Sequence, residues 1–116
     1  MNIGCDIVEI ERIRMSIEKF GDKFIKRILT SAEIEIYNNR GCRIEFIAGR
    51  FSAKEALSKA FGSGIGKELS FLDIEILPNK LGKPEVILKG EKRDDIALSI
   101  SHSKHNAMSV CCVKGA

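Results

Sequence analysis

The chain has 116 residues, room for one domain over residues 1–116 whose modest core association between subunits would enlarge. With 19 basic against 16 acidic residues the net charge is only +3, which excludes a protein that coats a polyanion over its whole surface and leaves any basic patch to be judged locally. No apolar run approaches bilayer length, no basic stretch followed by a long apolar one opens the chain, and Cys5, Cys42, Cys111 and Cys112 show no CxxC spacing, so a soluble cytoplasmic protein with free thiols and no membrane contact is expected.

The stretch NIGCDIV alternates, with Ile3, Cys5 and Ile7 on one face and Asn2, Gly4 and Asp6 on the other, and this predicts a strand. Gly4 lacks a side chain, so open, pocket-like space is expected beside the Asp6 carboxylate. From Ile10 the spacing of Ile13, Ile17 and Phe20 predicts a helix that Gly21 ends, and a short helical segment carrying Phe24, Ile25 and Ile28 follows. TSAE reads as a capping box in which Thr30 and Glu33 satisfy each other's backbone, opening a helix to about Asn38 that NNRG breaks.

The longest helix is expected from about Glu45 to Phe61, because Ala, Leu, Lys and Glu dominate and no proline interrupts; Gly62, Gly64 and Gly66 stop it. Beyond it, FLDIEIL and PEVIL read as strands joined by a PNKLGK turn, and IALSIS and AMSVCCV as a second pair around HSKHN, a turn that would hold His102 and His105. One strand, then helices, then four strands gives an α+β fold with a mainly antiparallel sheet.

On a helical wheel Ser52, Glu55 and Lys59 share one side, expected to face away from the core, while Ala53, Ala56, Leu57 and Ala60 take the other. Two readings stand: a solvated Glu/Lys pair of small energetic worth, or a lysine beside a glycine loop whose exposed N–H groups bind phosphate. GSGIG matches neither the Walker loop nor the dinucleotide fingerprint. Asp6 and Glu55 are the carboxylates available to a hard cation such as magnesium, which takes one or two protein carboxylates completed by water and phosphate oxygens.

In SISHSKHNA, a Ser/His nucleophile lacks an elbow or orienting acid, and zinc lacks its ligand spacing; solvated histidines or phosphate contacts remain. Residues 12–27 carry Arg12, Arg14, Lys19, Lys23, Lys26 and Arg27 against Glu18 and Asp22, a net +4 interleaved with apolar residues. Such a face is either simply solvated or suited to an acidic partner helix; nucleic acid competes for it, but no stacking aromatics accompany it.

Taken together, IGCDIVEI, FIKRILTSAE with AGRFSAKEALSKAFGSGIG, and LSISHSKHNA resemble the holo-acyl-carrier-protein synthases, the small bacterial 4'-phosphopantetheinyl transferases. The paired signatures G-x-D and F-x-x-K-E-x-x-x-K are matched at Gly4, Asp6, Phe51, Lys54, Glu55 and Lys59. The resemblance implies the fold of that family, a homotrimer with active sites between subunits, and transfer of 4'-phosphopantetheine from coenzyme A to a serine of apo-acyl carrier protein, with release of 3',5'-ADP, in fatty acid biosynthesis. It further implies Asp6 and Glu55 as Mg2+ ligands and Asp6, Glu55 and Lys59 as the catalytic set. Coenzyme A contacts are implied at Arg50, Lys59, Gly62, Ser63, Gly64, His102 and Ser103, and carrier docking at Arg12, Arg14, Lys23, Lys26 and Arg27.

Overall fold

A computed structural model describes residues 1–66 and 68–115. Strand β1 (Asn2–Glu9) runs into helices α1 (Ile10–Phe20), α2 (Asp22–Ile28), α3 (Ser31–Asn39) and α4 (Ile44–Phe61); a 3₁₀ turn (Phe71–Asp73) then leads to β2 (Ile74–Pro78), β3 (Pro84–Leu88), β4 (Glu91–Arg93), β5 (Ile96–His102) and β6 (Asn106–Val113). Two antiparallel sheets result, ordered β1-β6-β5 and β2-β3-β4. The α+β class is therefore observed, with five strands after the helices among the described residues in place of four. The extra one, β4, is the short run EKR, whose polar residues carry no strand pattern.

The local signals act where they stand in the sequence. Gly21 ends α1 at φ 58, Thr30 and Glu33 form the capping box of α3, and Gly62 ends α4 in the left-handed region at φ 78. His102, however, is the last residue of β5 and lies outside the turn, which closes with Ser103 N–H donating to the Asn106 carbonyl at 2.8 Å.

Helix α4 lies at the centre of the molecule. Ala53, Ala56, Leu57 and Ala60 pack on Ile74, Ile76, Val86, Leu98 and Cys111, while Ile47 and Ala48 join Ile10, Ile13, Ile28 and Leu29 in a second core. The expected outward polar side is only partly outward: Ser52 is fully buried, Glu55 is half-buried and Lys59 is exposed, and Lys54 and Ser58 are buried as well. A helix covered on nearly all sides has no single polar face.

The space expected beside Asp6 is filled by this helix. A Cβ on Gly4 would lie 1.9 Å from the Ala56 carbonyl oxygen and 2.9 Å from the Ala60 nitrogen, so the glycine permits contact of strand and helix backbones and opens no pocket. The apolar face of β1 meanwhile points outward: Ile3 and Ile7 are each 67% exposed, beside Met108 at 48% and Val110 at 43% on the neighbouring β6. Gly4→Ala must separate β1 from α4 and is expected to cost about 3 kcal/mol or more, the upper end for overpacking, read as a fall in the urea midpoint. An unchanged midpoint would show that the two backbones are not held in contact.

Candidate active site

Asp6 lies on the inward face of β1 and meets α4 twice. Its carbonyl oxygen accepts from Ser52 Oγ at 3.1 Å, and its Oδ1 accepts from Lys59 Nζ at 2.9 Å. Glu55, one turn before Lys59, lines one cavity of about 390 Å³ with Asp6, together with Arg12, Phe24, Phe51 and Asn106. Burial, and then the Asp6 charge, push the Glu55 carboxyl above its ordinary value, with Lys59 opposing; the Asp6 hydrogen bond and charge push the Lys59 ammonium up. Two carboxylates thus share one exposed lysine, and the negative charge left over suits a cation. Among the described residues no group of three or more His, Cys, Asp or Glu side chains is arranged to hold a metal. A divalent ion at Asp6 and Glu55 would therefore draw its remaining ligands from water and substrate oxygens, the habit of magnesium.

Arg50 and His102 line a different and larger cavity, of about 850 Å³, with Arg40, Arg43, Phe46 and Lys83. The Arg50 guanidinium stacks over the Phe46 ring at 4.4 Å. It is only 8% exposed, burial pulls its pKa down to about 10, and among the described residues its Nε has no hydrogen-bond partner. An unpaired buried donor costs about 1–3 kcal/mol. A ligand oxygen in this cavity would remove that cost.

The glycine loop differs from its expected role. The N–H groups of Gly62 and Gly64 donate to the carbonyls of Lys59 and Ser58 at 3.0 and 3.3 Å and close the helix end, while that of Gly66 donates within the loop to the Leu69 carbonyl at 2.8 Å, so none of the three is free for phosphate. Gly62, Ser63 and Gly64 follow Lys59 directly but line neither cavity, and Ser103 is an exposed turn residue that lines neither. Arg12, Arg14, Lys23, Lys26 and Arg27 are exposed on α1 and α2, with Arg12 at the smaller cavity and Arg14 paired to Glu11 at 3.2 Å.

Sequence reasoning missed Arg43 and Phe46, although they precede Arg50 at the same three- and four-residue offsets that single out Ser52, Glu55 and Lys59. It also assigned nothing to Asn106.

A family model for the 4'-phosphopantetheinyl transferase superfamily matches residues 2–112. The chain belongs to this superfamily. It is a phosphopantetheinyl transferase of the holo-acyl-carrier-protein synthase type, similar to the holo-[acyl-carrier-protein] synthase of Chlorobaculum parvum, with 47% identity over 98% of each chain. Among solved structures it resembles the Helicobacter pylori holo-[acyl-carrier-protein] synthase in complex with coenzyme A, at 42% identity and a TM-score of 0.86 over 97% of this chain and 99% of that one. A Bacillus anthracis synthase, solved with coenzyme A (3',5'-ADP), is 47% identical with a TM-score of 0.83 over 99% and 96%.

At the Asp6/Glu55 cavity, the raised Glu55 pKa gives a signed expectation. In the folded chain Glu55 holds its proton to higher pH than when unfolded, so its ionisation lowers stability as the pH rises past the ordinary value of 4.5. In metal-free buffer at neutral pH Glu55→Gln is therefore expected to unfold at higher urea than wild type, with the gap closing as the pH falls below 4.5. A lower midpoint for the variant would mean that attraction, not repulsion, dominates at Glu55.

Proposed function

We propose that residues 1–116 act as one cytoplasmic transferase domain that moves 4'-phosphopantetheine from coenzyme A to a serine hydroxyl of apo-acyl carrier protein, serving fatty acid biosynthesis. The observation that carries this reading is the meeting of Asp6 and Glu55 in one cavity, with Lys59 bonded to Asp6, from positions far apart in the chain. The four free cysteines are in keeping with a reducing compartment. Asp6 and Glu55 would hold a Mg2+, which when bound offsets the charge that develops on a diphosphate during phosphoryl transfer.

In the reaction the serine oxygen forms a bond to the β-phosphorus of coenzyme A, the bond from that phosphorus to the oxygen of the departing nucleotide breaks, and 3',5'-ADP leaves with those electrons. Lys59 adds positive charge beside the diphosphate, and Glu55 orients a water that carries away the serine proton. Arg50, with its unpaired Nε, and His102 bind the phosphorylated nucleotide in the larger cavity, with Arg40, Arg43 and Lys83 supplying further positive charge. Gly62, Ser63, Gly64 and Ser103 line neither cavity of a single subunit, and would reach the nucleotide only where two subunits meet, by contacts other than the Gly62 and Gly64 N–H groups. The exposed cations Arg12, Arg14, Lys23, Lys26 and Arg27 receive the acidic carrier, with Met15 and Phe20 exposed among them as apolar contacts.

Asp6 and Glu55 line one cavity and Arg50 and His102 another, and we infer that one coenzyme A spans the smaller cavity of one subunit and the larger cavity of the next. The exposed apolar face of β1 and β6 supports this, because a homotrimer would cover it.

Mass spectrometry of apo-acyl carrier protein incubated with coenzyme A, Mg2+ and the enzyme is expected to show the added phosphopantetheine. A chelator should abolish the addition, and Asp6→Asn or Glu55→Gln should slow it roughly 100-fold or more while leaving the chain folded. No mass gain with a competent carrier sinks the transfer reading, and full activity in chelator removes the metal from it.

Met108→Glu places a charge on the outer face at a residue that lines neither cavity. The expected result is a monomer by light scattering, with transfer lost; a fully active monomer would mean that each protomer carries a complete site.

A further inference from the structure

Lys54 and Glu33 have no part in the chemistry above, yet both side chains are wholly buried and paired at 2.7 Å. The three ammonium hydrogens are all used: Lys54 Nζ donates to Glu33 Oε1 at 2.7 Å, to the Ile28 carbonyl at 2.7 Å and to the Phe71 carbonyl at 3.0 Å. Glu33 in turn accepts from Thr30 N–H at 2.8 Å on Oε1 and from Ile76 N–H at 2.9 Å on Oε2. The end of α2, the start of α3, the 3₁₀ turn and β2 are thereby tied to one point on α4, the residue before Glu55.

Two of those ties lead into the smaller cavity. Helix α2, held by its last carbonyl, supplies Phe24 to the cavity wall. Phe71, held by its own carbonyl, stacks on Phe51 with ring centroids 5.3 Å apart, and Phe51 is another part of that wall. Helix α2 also bears Lys23, Lys26 and Arg27.

An apolar cluster of similar volume is often at least as stable as a buried ion pair, so stability alone is a weak reason for this one. Hydrophobic contact is non-directional, whereas five hydrogen bonds of set length and angle define one arrangement.

We propose that the Lys54–Glu33 pair is a positioning device for phosphopantetheine transfer, holding the α2 wall at a fixed distance from Glu55, and Phe71 against the Phe51 ring, so that a carrier seated on α2 presents its serine in line with the diphosphate. This rests on the transferase reading given above. Misplacing reacting groups by about 1 Å can cost roughly 100-fold in rate. The pair therefore acts on the chemical step with carrier bound and leaves coenzyme A, whose nucleotide is gripped in the larger cavity and whose diphosphate meets Asp6, Glu55 and Lys59 and not the α2 wall, largely unaffected.

The test is the double variant Lys54→Met with Glu33→Gln, which removes both charges together. The glutamine oxygen keeps one backbone N–H satisfied, while the other N–H and the two carbonyls that Lys54 held lose that partner. With the folded double variant, kcat at saturating apo-acyl carrier protein is expected to fall roughly 10- to 100-fold, while the Kd for coenzyme A by calorimetry changes less than about threefold. A folded double variant with wild-type kcat overturns the proposal. So does a loss of coenzyme A affinity matching the loss of kcat, the mark of general loosening.

If the double variant does not fold, Glu33→Asp keeps the ion pair but shortens the carboxylate by one methylene, and the same two measurements decide. A lower kcat with unchanged coenzyme A binding supports the proposal, and an unaltered kcat overturns it. Absence of transfer by wild type would instead fail the transferase reading itself, so the two failures are told apart.

Discussion

The contact on which the rest of this structure depends is that of two backbones: β1 at Gly4 against α4 at Ala56 and Ala60. Any side chain at position 4 would stand in the helix. Because none does, Asp6, two residues further along the same face, is carried over the helix and comes within hydrogen-bond distance of both Ser52 and Lys59. The i, i+4 geometry of α4 then brings Glu55 to the same cavity without any further device. The carboxylate pair and its lysine follow from a packing distance and a helix period, and the surplus negative charge at Glu55 and Asp6 follows from their closeness.

Placing a helix at the centre of a small protein has a cost in polar groups. Lys54, Ser52, Ser58 and Arg50 are all on α4 and all buried. Three of them are paid off locally: Lys54 by Glu33 and two carbonyls, Ser52 by the Asp6 carbonyl, Ser58 by the Glu55 carbonyl at 2.7 Å. Arg50 alone keeps an unpartnered Nε among the described residues, and it faces a large cavity lined with other cations. Ser109 Oγ on β6 is likewise buried without a partner among the described residues but lines neither cavity, so it is the opening of Arg50 into the larger cavity that sets this residue apart.

The same economy operates at the scale of the sheet. The β1-β6-β5 sheet spends its inner face on α4, with Gly4, Ala107 and Cys111 turned inward, and leaves Ile3, Ile7, Met108 and Val110 facing out. A modest core, an exposed apolar face, and Asp6 and Glu55 in one cavity with Arg50 and His102 in another are the observations on which the proposed sharing of a site between subunits rests.

Much of this protein is legible from its sequence because the signals are local. Periodicity, the Thr30/Glu33 capping box and the glycine stops mark all four helices; alternation marks the longer strands; and the spacing of Glu55 and Lys59 puts them on one helical turn. The short β4, built of Glu91, Lys92 and Arg93, has no apolar alternation to reveal it. What only the tertiary structure decided are relations between distant segments: that Gly4 makes room for a helix and not for a ligand, that Lys54 turns inward to Glu33, that Gly62, Gly64 and Gly66 spend their N–H groups on the chain itself, and that Arg50 and Glu55 open into different cavities. Local patterns report what each residue does to its own backbone, whereas burial and pairing depend on which segments the whole chain brings together, and no window of sequence contains that.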